Sequence, residues 1–175
     1  TMLWSWKADS YSSPLNLFYS SNQFINNTGD SSATPFSNST NSVILDEWAF
    51  YTVVHEASGT KLYINGELIG TATYKNPSAT NTTIRINGWV LDTRYRLVGS
   101  VDNISVWNKA LTQEEIIYYM NRKLDGDEEG LAGYWPLDEG QGNIASDLST
   151  NKKDGTIYSS TWIDGGLDLK LCNKY

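Results

Sequence analysis

Few side chains in this sequence are of a type that does chemistry, and their spacing is restrictive. The single histidine, His55, follows Val53 and Val54 and precedes Glu56, a setting that fits a strand end better than a general base beside a nucleophile. No Gly-x-Ser-x-Gly elbow, phosphate-cradling glycine loop or His-Glu-x-x-His helix occurs. Two acidic clusters remain, Asp138-Glu139 and Asp125-x-Asp127-Glu128-Glu129. Glycoside hydrolysis needs two carboxyls facing one another across a cleft, and nothing in the spacing sets these up as such a pair. The second cluster reads instead as the solvated exit of a helix and is not a complete EF-hand loop. The expectation is a chain without catalytic activity.

Recognition chemistry is better represented. The stretch Gly88–Arg96 places Trp89 and Tyr95 near Asp92 and Arg94 in a loop. Aromatic faces stack on sugar C–H groups while charged and amide groups take the hydroxyls, so these four residues form a candidate glycan surface. The plainer alternative is that Trp89 packs its loop onto the body of the domain. Four Asn-x-Ser/Thr sequons occur, at Asn26, Asn38, Asn81 and Asn103. In a secreted eukaryotic glycoprotein the first three are the acceptors, whereas Asn103 lies in a strand pattern. The lone Cys172 excludes an internal disulfide and a cysteine-based zinc site. It is a small buried thiol or a link to another chain.

The bulk numbers fit that picture. At 175 residues the chain can bury a good core. Seven tryptophans and eleven tyrosines favour pleated sheets and recognition surfaces alike. A net charge of −7 with scattered basic residues excludes nucleic acid as a partner. No apolar run approaches the roughly 18 residues that insert in a bilayer, and no signal peptide is visible.

The elements that position these residues are mostly strands. Met2–Lys7 alternates with period two, and Leu15–Ser20 is a second short strand. Residues 21–42 read as a long Asn- and Ser-rich loop with a short strand around Phe24. Strands follow at Trp48–His55, Thr82–Asn87 and Leu97–Trp107, and Trp4, Trp6, Trp48, Trp107 and Trp135 fall at core positions. Asn65-Gly66 supplies the two positive-φ residues of a type I′ hairpin, pairing Ile64 with Glu67, Tyr63 with Leu68 and Leu62 with Ile69. Thr112 and Glu115 form a capping box for a helix stapled by Leu111 and Ile116. The spacing of Ile116, Met120 and Leu124 carries that helix to a Gly126 C-cap. One short helix among many strands predicts an all-β, antiparallel β-sandwich.

Three segments in order, Asp46-Glu-Trp-Ala-Phe-Tyr-Thr, Lys61-Leu-Tyr-Ile-Asn-Gly-Glu and Gly99-Ser-Val-Asp-Asn-Ile-Ser-Val-Trp-Asn-Lys-Ala-Leu-Thr-Gln-Glu-Glu-Ile, resemble the laminin-G-like family of concanavalin-A-like jelly rolls. The later segment, Leu131-Ala-Gly-Tyr-Trp-Pro-Leu-Asp-Glu-Gly-Gln-Gly followed by Asp147-Leu-Ser-Thr-Asn-Lys-Lys-Asp-Gly, resembles the opening of such a domain. Its place after the core is unusual. Residues 1–126 therefore carry the core strands and helix, while 127–175 either complete the same sandwich or start a following repeat. Unclosed, such a segment leaves a strand edge for a neighbouring chain, and repeated exchange builds a filament.

The resemblance implies an extracellular or cell-surface module for cell adhesion or carbohydrate binding, with a glycan, an extracellular protein or copies of itself as partner. A self-assembling structural subunit and the carbohydrate-binding module of a glycan-degrading enzyme are the alternatives. It also implies a structural calcium ion on Asp102, Asp147, Asn151 and Asp154. Here Thr150 and Lys152 stand where the family has glycines, and two lysines add charge against a cation.

Overall fold

The computed structural model describes residues 2–7, 15–20, 23–27, 34–37, 47–73, 83–86 and 99–164. All of its sheets are antiparallel, and they are accompanied by one short helix, as the sequence predicts. The chain divides into two compact units, Thr1–Gly99 and Ser100–Tyr175.

In the first unit, β1 (Met2–Lys7), β2 (Leu15–Ser20), β3 (Gln23–Asn27), β4 (Thr34–Pro35) and β8 (Thr83–Ile86) form a five-stranded sheet in the order β4-β3-β2-β1-β8. The short strand expected around Phe24 is β3, the expected loop also holds β4, and Asn26 lies on β3 rather than in a loop. A second sheet is the meander β5 (Tyr51–Glu56), β6 (Gly59–Ile64) and β7 (Glu67–Ala72). The two sheets meet in an apolar core of Phe24, Phe36, Leu62 and Ile64, against which Tyr51 and Val53 pack. Phe24 and Tyr51 sit with ring centroids 5.6 Å apart. Each such buried side chain contributes about 1.5–3 kcal/mol of apolar transfer.

The hairpin forms at Asn65-Gly66, whose φ values of 50° and 81° are those a type I′ turn requires. Asn65 also clamps the neighbouring strand, since Phe50 N–H donates to its Oδ1 at 2.8 Å. Register follows expectation at Ile64–Glu67 and Tyr63–Leu68, then slips so that Leu62 faces Gly70 instead of Ile69. The reason is a crossing segment. Ser37 N–H donates to Thr71 O at 2.9 Å, and a Cβ on Gly70 would lie 1.8 Å from the Ser37 carbonyl oxygen. The bulge brings the one residue without a side chain to that crossing. Trp48 departs from its expected core position: it precedes β5 and is 42% exposed.

In the second unit, β9 (Ile104–Trp107) pairs with β10 (Leu131–Trp135), and β11 (Ile144–Ala145) with β12 (Gly155–Thr156). The strand expected over Leu97–Trp107 is shorter because Asn103 has φ 50°, outside the extended region; residues 97 and 98 lie outside the described residues. Helix α1 (Gln113–Met120) starts with both bonds of the Thr112–Glu115 capping box, and Leu111 and Ile116 are buried beneath it. It ends earlier than expected, with Asn121 rather than Gly126 as C-cap. The Asn121 amide donates to Ile117 O and the Arg122 guanidinium to Tyr118 O, satisfying last-turn carbonyls that otherwise favour continuation.

Candidate functional site

A polar frame around one aspartate organises the second unit. Asp147 is 1% exposed, and its carboxylate is met by main-chain donors. Oδ1 accepts from Tyr134 N–H at 2.9 Å and Ser149 N–H at 2.8 Å, and Oδ2 accepts from Lys153 N–H at 2.8 Å. Asp147 N–H in turn donates to Asp154 Oδ1 at 2.9 Å. Burial raises the pKa of the Asp147 carboxyl, but the N–H groups of Tyr134 and Lys153 with the hydroxyl and N–H of Ser149 together outweigh it and hold the group below its ordinary value. The loop from Asp147 to Gly155 therefore folds around an anion, and β10 supplies part of the shell.

The remaining residues brace this loop. Asn151 donates from its amide to Ala132 O at 3.0 Å, and the Trp135 indole donates to Lys153 O at 3.1 Å. Gly126, at φ 97°, approaches so closely that a Cβ would fall 2.2 Å from Leu148 O. Its carbonyl accepts from Thr150 N–H at 3.1 Å. The acidic cluster before it is a turn: Glu128 accepts from the N–H groups of Asp125 and Gly126 at 2.8 and 3.0 Å.

A calcium ion takes six to eight oxygen ligands, and the donors here do not fit one. Three N–H groups already occupy the Asp147 carboxylate, and Asp102 Oδ1 accepts from Asn103 N–H at 2.9 Å. Lys152 places its ammonium 3.1 Å from Leu148 O, within the same loop. Among the described residues, no three acidic, histidine or cysteine side chains converge as a metal site. Lys152 does adopt the left-handed conformation, φ 50°, that its glycine-like position implies. Asp147, Asn151 and Asp154 are brought together, but as the hydrogen-bonded skeleton of a turn.

Trp89, Asp92, Arg94, Tyr95, Asn38, Asn81 and Cys172 lie outside the described residues. His55 bonds through Nδ1 to Thr60 Oγ1 at 2.9 Å, directly across the β5–β6 pair, and burial pushes its pKa down to about 4. Asp138 pairs with Lys123. Sequence reasoning flags Asp147 by type but misses Tyr134 and Gly126, whose contributions are main-chain and carry no side-chain signature.

A family model described as the concanavalin A-like lectin/glucanases superfamily matches residues 4–117, well over half of the chain. No curated protein and no solved structure matches. The matched span runs from β1 into α1, so the Asp147 frame lies beyond it. By that match the chain belongs to the concanavalin A-like lectin/glucanases superfamily, and the family's jelly-roll sandwich is the architecture its antiparallel sheets and single short helix express.

Proposed function

We propose that this chain is a non-catalytic extracellular module that recognises glycan in adhesion or surface attachment. The superfamily's description names both lectins and glucanases, so membership alone leaves a binder and a hydrolase. The ties of Asp147, Asp138, Glu128 and Glu115 to donors of the same chain favour the binder. A glycosidase needs an acid of raised pKa with a second carboxyl roughly 5–10 Å away. Here burial alone would raise Asp147, but its N–H partners and the Ser149 hydroxyl hold it low, and it is enclosed. Asp138 is tied to Lys123, Glu128 closes a turn, and Glu115 joins Lys109 to the helix cap.

Closure within one chain is supported by β10. One of its edges is taken by β9 of the same chain, which ties the segment after residue 127 to a strand before it. The reading predicts a monomer by sedimentation velocity, and filaments at neutral pH would favour a structural subunit instead. A glycan array of the intact chain tests recognition: binding without release of reducing ends supports the proposal, and turnover of a bound glycan contradicts it.

A further inference from the structure

Strand β10 has two edges, and β9 takes one of them. Along an antiparallel strand, residues bonded across one edge alternate with residues whose main-chain groups point to the other. Tyr134 is of the second kind. Its N–H donates to Asp147 Oδ1 at 2.9 Å, and its carbonyl accepts from Leu148 N–H at 2.7 Å. Two residues earlier, on the same edge, the Ala132 carbonyl accepts from the Asn151 amide at 3.0 Å. The loop after Asp147 thus occupies this edge at the points where a neighbouring strand would place its ladder of bonds.

The strand does nothing of its own to defend that edge. Leu131-Ala-Gly-Tyr-Trp holds no charged residue and no proline, the devices that keep an exposed edge from pairing with another chain. Uncharged apolar segments of this kind pair with their own copies once exposed. The loop is fastened from behind, since Lys153 N–H donates to Asp147 Oδ2 at 2.8 Å and Thr150 N–H to Gly126 O at 3.1 Å. The first unit covers an edge in a similar way. On β7, Ser37 Oγ accepts from Thr71 N–H at 3.0 Å, and Ser37 N–H donates to Thr71 O at 2.9 Å.

We propose that the Asp147–Asn151 loop is an edge guard, whose release turns the outer edge of β10 into a strand-addition surface for a second copy of this chain. With the guard released, Ala132 and Tyr134 bond the partner's Tyr134 and the partner's Ala132, antiparallel about a two-fold axis at Gly133. The guard keeps the chain a monomer while it is closed. The inference goes beyond the glycan reading and does not depend on it.

The test is sedimentation velocity with hydrogen-exchange mass spectrometry, run well below each melting temperature on the intact chain, Asp147→Ala, Asn151→Ala and Ile116→Ala. Ile116→Ala opens a cavity at a fully buried position of α1 and so destabilises the same unit without touching the edge. The expected result is a monomeric parent and a monomeric Ile116→Ala, while Asp147→Ala shifts from monomer to dimer as concentration rises. In that dimer, residues 131–135 regain exchange protection that the Asp147→Ala monomer has lost. Asn151→Ala releases only the Ala132 carbonyl and should dimerise at a higher concentration. If Asp147→Ala does not fold, Asn151→Ala decides alone: a dimer supports the guard and a monomer overturns it. A folded Asp147→Ala that stays monomeric, or an Ile116→Ala that associates equally, also overturns it.

Discussion

Asp147 and His55 show how residues of catalytic type are put to structural use. Replacing Asp147 with Ala strands three main-chain N–H groups, two of them in buried residues. Hydrogen bonds to a charged group contribute about 1.5–3 kcal/mol each, so urea unfolding should show a loss of about 3 kcal/mol or more. His55 is also weakened by acid, but in a higher pH window. Its pKa is about 4 in the folded chain against 6.5 for the free group, so the unfolded chain binds its proton first. Stability is complete above pH 6.5 and falls as pH drops toward 4, with a limiting slope of about 1.4 kcal/mol per pH unit. The folded pKa of Asp147 is lowered, so its contribution is lost only below its ordinary value of 3.8. Urea unfolding at a series of pH values separates the two windows, and His55→Gln should flatten the first alone. Sequence reading assigns His55 to structure from its Val-Val-His-Glu setting. It implies a metal-ligand role for Asp147, because a carboxylate that binds calcium and one that binds N–H groups have the same sequence.

At the scale of elements, local chemistry was legible and non-local crossings were not. The Asn65-Gly66 turn and the Thr112–Glu115 capping box each depend on residues within a few positions, and both form as read. Thr112→Ala should cost about 1 kcal/mol in thermal unfolding. The register slip at Leu62–Gly70 depends on Ser37, thirty-three residues upstream of Gly70, and no hairpin rule anticipates it. The distance from the helix marks Gly126 as a C-cap, although its need for no side chain comes from Leu148. Gly70→Ala and Gly126→Ala should both destabilise by about 2 kcal/mol or more, on the order of other overpacking changes, because the opposing atoms are backbone and do not yield. Gly140→Ala meets nothing within 4 Å and should cost only the strain of its φ of 67°.

For the molecule as a whole, the antiparallel architecture was readable from strand periodicity and turn residues, since these repeat along the chain. The recognition chemistry was less so. The residues whose types suggested it, Trp89, Asp92, Arg94 and Tyr95, lie outside the described residues. Because the Asp147 loop is already closed by N–H groups and by Lys152, thermal melting should be unchanged by a calcium chelator. A fall of several degrees on chelation would restore a metal to the fold. The central claim is that the chain holds sugar without cleaving it. Saturation-transfer NMR on neutral oligosaccharides, followed over hours in chelator, reads both halves at once. The account predicts transfer to ligand protons with an unchanged glycan spectrum. Absence of transfer, or the growth of new reducing-end anomeric signals, would contradict it.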